Sequence, residues 1–325
     1  MSALLDGIKA NDFVIVGRAG IDFFTDVGVR AEDAERLTVD LGGSAANIGA
    51  GICKLGGKAA LVTSVSDDSV GSYCVNRLQH YGVNTDHVQR VGGEYRNSLA
   101  FYESVLEGHR NVIYRNGAAD FQMTVQDVEA VDYTRYGALI TAGTVFAAEP
   151  SRAATFRAFE LAKQAGLPII FDVDYRPYSW PSPQVAADVL SRAAEASDMI
   201  VGNDEEFGFM AGGMDKGQAR ARALSETTAE IVVYKMGELG AVTYAGGDEI
   251  TTGIYPVTAV KPNGAGDAFM AGLMTSIAEG RDLRTAILRG SACASITVSQ
   301  PGCAPAMPTP DLLDDFLTNH PGPTS

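Results

Sequence analysis

The stretch Gly264-Ala265-Gly266-Asp267-Ala268-Phe269 sets a carboxylate against a turn of small residues at the start of an apolar helix. With no bulky side chain in the way, the amides of Gly264, Ala265 and Gly266 can converge on an anion at the positive end of a helix expected over residues 268–278. Asp267 would lie beside that anion. A carboxylate so placed takes the proton from an attacking hydroxyl while the amides stabilise charge on the group in transit, which is the chemistry of phosphoryl transfer. The same residues also read as a plain helix cap after a glycine-rich turn, with no chemistry attached.

A second small-residue stretch, Leu41-Gly42-Gly43-Ser44-Ala45-Ala46-Asn47, joins an extended segment to a helix expected over residues 45–55. Paired glycines let the backbone touch a polyhydroxylated ligand, and Asn47 both donates to and accepts from hydroxyls. A turn followed by a helix cap is the alternative reading.

Positioning two such stretches about 220 residues apart in sequence requires a large framework, and the chain has one. Its 325 residues, 46% of them hydrophobic, suffice for one large α/β core. Short β-rich runs at 13–16, 60–65, 138–142, 168–172, 199–201 and 231–235 alternate with helical patterns at 45–55, 70–81, 152–164, 184–194, 205–211 and 216–225. Helices follow at 267–278, 283–298 and 310–319. This alternation predicts a mostly parallel central sheet with helices on both faces. Two segments, 18–41 and 95–118, break it and read as β-segments with charged turns, inserted in a single domain over 1–325.

The net charge of −15 argues against nucleic acid or an anionic membrane as partner, so an anionic ligand would need locally placed arginines. The opening MSALLDGIKANDFVIVG does not read as a signal peptide, and no run reaches the roughly 18 apolar residues of a membrane span. Cys53, Cys74, Cys293 and Cys303 show no CxxC spacing and are expected as reduced core thiols of a cytoplasmic protein. His80, His87, His109 and His320 form no metal-ligand pattern and are expected at the surface.

GGSAAN early and GAGDAF late, in that order, resemble the two signatures of the ribokinase-like (PfkB) carbohydrate kinases over nearly the whole chain. The resemblance implies a three-layer ribokinase-like fold, with the two β-segments forming a small lid over the sugar and a homodimer contact through that lid. It implies ATP and Mg²⁺ as cofactors and Asp267 as base. It assigns sugar hydroxyls to Asp22, Gly42, Gly43 and Asn47. Asn203-Asp204-Glu205-Glu206 matches the family's NxxE motif, in which Asn203 and Glu206 would organise water around the metal. Lys235-Met236-Gly237-Glu238-Leu239-Gly240 matches the turn that flanks the nucleotide, through Lys235, Gly237 and Gly240. Arg115 and Arg176, in YRNGAAD and DVDYRPYSW, resemble the arginines of sugar-acid kinases, and a guanidinium fork fits a carboxylate. The implied substrate is therefore a keto-deoxy sugar acid phosphorylated on its terminal 6-hydroxyl. One departure stands out: Lys261-Pro262 replaces the Asp-Thr that precedes the GAGD turn in most relatives, where the Asp helps hold a monovalent cation. The Lys261 ammonium would either supply that positive charge itself or point into solvent. A silent sugar or nucleotide sensor on the same fold is the reading from another class, and the intact GAG turn with Asp267 argues against it.

Overall fold

In the computed structural model, residues 3–8, 10–105, 108, 110–261 and 263–323 are described. The strands are β1 (Asp12–Val16), β2 (Gly20–Phe24), β3 (Thr38–Gly42), β4 (Lys58–Ser66), β5 (Val88–Val91), β6 (Leu99–Tyr102) and β7 (Asn111–Tyr114), then β8 (Ala138–Ala142), β9 (Ile169–Asp172), β10 (Met199–Asn203), β11 (Ile231–Lys235), β12 (Ala241–Ala245) and β13 (Asp248–Thr252). They form a nine-stranded sheet in the order β13-β12-β11-β10-β9-β8-β1-β4-β5 and a four-stranded sheet in the order β3-β2-β6-β7. The large sheet is parallel from β11 to β5, and only β12 runs against it, with β13 turning back antiparallel to β12 at the edge.

Period-two alternation divides its side chains between two cores. Phe13 and Ile15 of β1 face the helices Ser44–Lys54, Ala265–Ala278 and Leu283–Val298. Val14 and Val16 face the helices Ser151–Gln164 and Pro183–Glu195 on the other side. A parallel sheet covered on both faces needs strands apolar throughout, and every residue of β8 and β9 is buried.

All six strands and nine helices expected from periodicity are present, with ends shifted by a residue or two. The helix of the GAGD stretch begins at Ala265, two residues before the expected start at 267, so Asp267 lies inside its first turn and Gly264 occupies the cap. The short strand β5 and the hairpin β12–β13 were not among the expected elements. The hairpin turns on Gly246 and Gly247, both at positive φ, as a tight two-residue turn between twisted strands demands. Both extra β-segments join the small sheet, which pairs β2 antiparallel with β3 and parallel with β6. Of the histidines, His80 and His320 are exposed, His87 is half-buried, and His109 lies outside the described residues. The four cysteines are free thiols, and only Cys53 is not fully buried. Among the described residues no helix is long and apolar enough to cross a membrane.

Candidate active site

Parallel α/β sheets place their ligands beyond the carboxyl ends of the strands, and the polar residues of this chain gather there. Asp172 ends β9, Asn203 ends β10 and Lys235 ends β11. With the first turn of helix Ala265–Ala278 they enclose a cleft of about 360 Å³. Gly264, Ala265, Gly266, Asp267, Asn203, Glu206, Lys235, Gly237 and Gly240 all line it. Several helices open on a side-chain cap, among them those after Asp68, Ser182 and Asp282. The helix after Gly264 has no such cap, so its first amides face the cleft. Gly264 sits at φ +83, and a Cβ there would come within 3.1 Å of Cys303 Sγ. The positive φ favours glycine, and the tight approach of Cys303 adds to it. At Gly266 a Cβ would stand 3.6 Å from Lys235 Nζ, which places that ammonium over the open helix end.

Asn203 and Glu206 are locked together. Asn203 Oδ1 accepts from the Glu206 amide at 2.8 Å, and Glu206 Oε2 accepts from the Asn203 amide at 2.8 Å. Glu206 Oε1 accepts from the Tyr175 amide at 3.2 Å. The pair is thus a helix cap and a wall of the cleft at once.

A second cleft, of about 590 Å³, opens between the large sheet and the small one. Gly43, Asn47, Arg115 and Arg176 line it, and Asp267, Asp174, Asn263, Gly264 and Arg176 line both clefts. The inner face of the small sheet contributes Tyr102, Asn111 and Ile113. Asp22 and Gly42 stand behind this lining. Asp22 lies within β2, 1% exposed, with Oδ1 lacking a hydrogen-bond partner. Gly42 makes room for it, since a Cβ there would fall 1.9 Å from that oxygen. Asn47 Nδ2 donates to Asp267 Oδ2 at 2.9 Å, leaving Asn47 Oδ1 buried without a partner.

The two expected carboxylate-binding arginines are already engaged. Arg115 donates Nε and Nη2 to Asp120 Oδ2 at 3.1 and 2.5 Å and Nη1 to the Thr144 carbonyl at 2.9 Å. Arg176 Nη2 pairs with Asp174 Oδ1 at 2.8 Å. Asp174 is the only non-glycine with positive φ among the described residues, at +35°. Hydrogen bonds from Ser44 at 2.6 Å and Thr144 at 3.2 Å to its Oδ2 hold it in that strained turn.

Crowded acids move each other's titration. Burial pushes Asp267 up to about 6, aided by Asp174 and opposed by the Asn47 hydrogen bond, Arg176 and Lys235. Burial pushes Asp22 up to about 7 against the pull of Arg18. Asp172 rises well above the carboxylate range through burial, relieved in part by Lys235 and aggravated by Glu206, Asp174 and Asp267. Among the described residues no group of His, Cys, Asp and Glu side chains could hold a metal ion unaided.

Residues 10–310 match the family model described as pfkB family carbohydrate kinase. The chain belongs to the pfkB family. It is 36% identical over 312 residues to a 5-dehydro-2-deoxygluconokinase of Photobacterium profundum, covering 94% of each chain. It is 34% identical over 321 residues to a protein of the same name from Geobacillus kaustophilus, covering 97% of this chain and 96% of the other. Among solved structures, the fructokinase of Xylella fastidiosa with bound ATP superposes with a TM-score of 0.84 at 20% identity, over 95% of this chain and 98% of that one.

Set in a pfkB-family frame, the site contains residues that the sequence motifs did not single out. Arg18, Ser44, Tyr102, Thr144, Asp174 and Cys303 all line the second cleft. Arg18 and Asp174 lie four and two residues before Asp22 and Arg176, the residues that the resemblance singles out. Thr144 and Cys303 carry no local signal, because the fold brings them in from distant loops. Lys261 is 3% exposed and donates from Nζ to the Asn263 carbonyl at 2.5 Å, which excludes the solvent-facing alternative. Pro262 lies outside the described residues.

Proposed function

We propose that this pfkB-family kinase transfers the γ-phosphoryl group of ATP to the 6-hydroxyl of 5-dehydro-2-deoxy-D-gluconate. The observation that carries the chemistry is Asp267, which lines both clefts and is pinned by Asn47. The name of the curated relatives supports the substrate. ATP occupies the first cleft with its phosphates toward the amides of Gly264, Ala265 and Gly266, and with Lys235, Gly237 and Gly240 flanking it. The sugar acid occupies the second, with Gly43 and Asn47 against its hydroxyls and the unpartnered Asp22 Oδ1 as a further acceptor behind them. Asp267 accepts the proton of the 6-hydroxyl as its oxygen bonds to the γ-phosphorus, and the bond from that phosphorus to the β–γ bridging oxygen breaks to leave ADP. Positioning and fixed charge supply most of the acceleration.

Asp172, Asp174 and Glu206 bring their carboxyls together beside the cleft, a set of oxygens that suits a hard divalent cation. Asn203 and Glu206 would hold Mg²⁺ there through water, and the bound ion would neutralise phosphate charge. The chain acts as one domain in which the small sheet, within 18–41 and 95–118, serves as lid. Strand alternation gives that sheet an outward apolar row of Phe23, Phe101, Val112 and Tyr114, with Phe23 stacked on Phe101 at 4.8 Å and Val112 and Tyr114 exposed. A second copy in the cytoplasm would cover it.

The test is a coupled assay of ADP release over 5-dehydro-2-deoxygluconate, 2-dehydro-3-deoxygluconate, fructose, ribose and adenosine. The highest kcat/KM is expected for the first. A higher value for any other substrate overturns the assignment.

A further inference from the structure

Arg18 stands apart from the other guanidinium groups of the second cleft. It follows β1 directly, and its backbone is fixed: its carbonyl accepts from the Ala46 amide at 3.2 Å, and a Cβ on Gly43 would lie 2.4 Å from that oxygen. The side chain is only 6% exposed, yet it lines the cleft. Among the described residues its one side-chain hydrogen bond runs from Nη1 to Ser98 Oγ at 2.9 Å, and no carboxylate lies within salt-bridge distance. Arg115 and Arg176 differ, because Asp120 and Asp174 already occupy them. None of its nitrogens is among the buried atoms left without a partner, so the donors that Ser98 does not take open on the cleft, where a ligand can reach them.

An anionic ligand is the partner that completes it best. A carboxylate matches the guanidinium fork with two parallel bonds, whereas a hydroxyl offers one acceptor. The nearby acids Asp22, Asp120 and Asp174 favour the charged form of Arg18 and hold its pKa up against burial, but none of them pairs with it directly, so its fork stays open to a ligand.

We propose that Arg18 is the residue that binds the carboxylate of the sugar acid and so sets the preference of this kinase for an acid over a neutral sugar, with Arg115 and Arg176 acting as structural and junction residues instead. The assignment rests on the functional reading above.

The experiment compares unmodified enzyme with Arg18→Met, Arg18→Lys and Arg176→Met, using 5-dehydro-2-deoxygluconate and its analogue reduced to a primary alcohol at C1. Thermal midpoint and KM for ATP report whether the fold survives. For Arg18→Met, KM for the acid should rise about 10- to 100-fold, the loss of one charge-assisted pair. KM for ATP and for the neutral analogue should hold, so the acid-over-neutral preference collapses. Arg18→Lys keeps charge without the fork and should fall between, which serves as the test should the methionine variant not fold. An unchanged acid preference in a folded Arg18 variant overturns the inference, as does a selective loss in Arg176→Met alone. Failure of the unmodified enzyme to phosphorylate the acid overturns the functional reading itself and the inference with it.

Discussion

Asn47 Nδ2 donates to Asp267 Oδ2 at 2.9 Å, joining residues 220 positions apart in the chain. Helical geometry explains how the contact is held. Gly51 lies one turn after Asn47 and Ala271 one turn after Asp267, so each pair shares a helix face. A Cβ on Gly51 would come 2.7 Å from Ala271 Cβ. The two helices therefore approach closely at Gly51, and that approach carries the Asn47 amide to the carboxylate. The hydrogen bond fixes the orientation of Asp267 and holds down a titration that burial would otherwise push higher.

Replacing Asp267 by Asn keeps the shape and removes the proton acceptor. Turnover should fall by about 10²–10⁴-fold, the usual cost of losing a general base, while ATP affinity holds. In the unmodified enzyme kcat/KM should decline as pH drops through about 6, where Asp267 becomes protonated. Near-normal turnover in Asp267→Asn would return the residue to a purely structural part in the first helical turn.

Asn47→Ala should act through Asp267. Without the amide donor the carboxyl titrates higher, so the acid limb of the pH–rate profile moves to higher pH. Asn47→Leu keeps the volume and should do the same. A variant that loses activity uniformly with no movement of the limb would mean that Asn47 serves the sugar alone.

Asp22 carries a stability cost that the same logic makes measurable. Its folded pKa rises from 3.8 to about 7, so the folded chain holds that proton more tightly than the unfolded one. The contribution is most favourable below pH 4 and is lost as pH rises toward about 7. Asp22→Asn should therefore raise the thermal midpoint near pH 8 and do little near pH 4, while weakening sugar binding. Calorimetric scans at the two pH values check it, and a lower midpoint at the higher pH would contradict the burial argument.

Much of this was legible in the sequence because α/β folds announce themselves locally. Parallel strands buried on both faces read as apolar runs, and the helices between them carry their own caps at Asp68, Ser182, Asn203 and Asp282. The residues around the first cleft stand out in the sequence too, since most of them end a strand or open a helix. Those around the second do so less. Asp22 and Gly42 face each other inside a sheet whose pairing is non-local, and whether Arg115 is free or held by Asp120 depends on how the YRNGAAD loop folds back. Gly246-Gly247 was an available hairpin signal that outlines β12 and β13 in retrospect.

Arg115 should prove structural. Its guanidinium, 4.0 Å from the Phe121 ring centroid, is buried with Asp120, and Asp120 Oδ1 already lacks a partner. Arg115→Met would strand the carboxylate, at about 3–5 kcal/mol of stability. Arg115→Met with Asp120→Leu should recover most of it. Denaturant titration of the single and double variants decides the matter; equal loss in both would point to packing on Phe121 rather than to the stranded charge.

Lys261 bears on ion dependence. Its buried ammonium is fixed by the Asn263 carbonyl, next to the Gly264 cap, where resembling kinases keep an Asp for a monovalent cation. Burial lowers its pKa, and Cys303, Asp267 and Asp22 pull it back. A second positive charge in that volume would be repelled, so activity should be indifferent to potassium. The assay titrates K⁺ at constant ionic strength, with a bulky organic cation for balance, and repeats it with Lys261→Asp, which should lose activity and regain some of it with K⁺. Strong potassium activation of the unmodified enzyme would mean that backbone carbonyls build a cation site here in spite of Lys261.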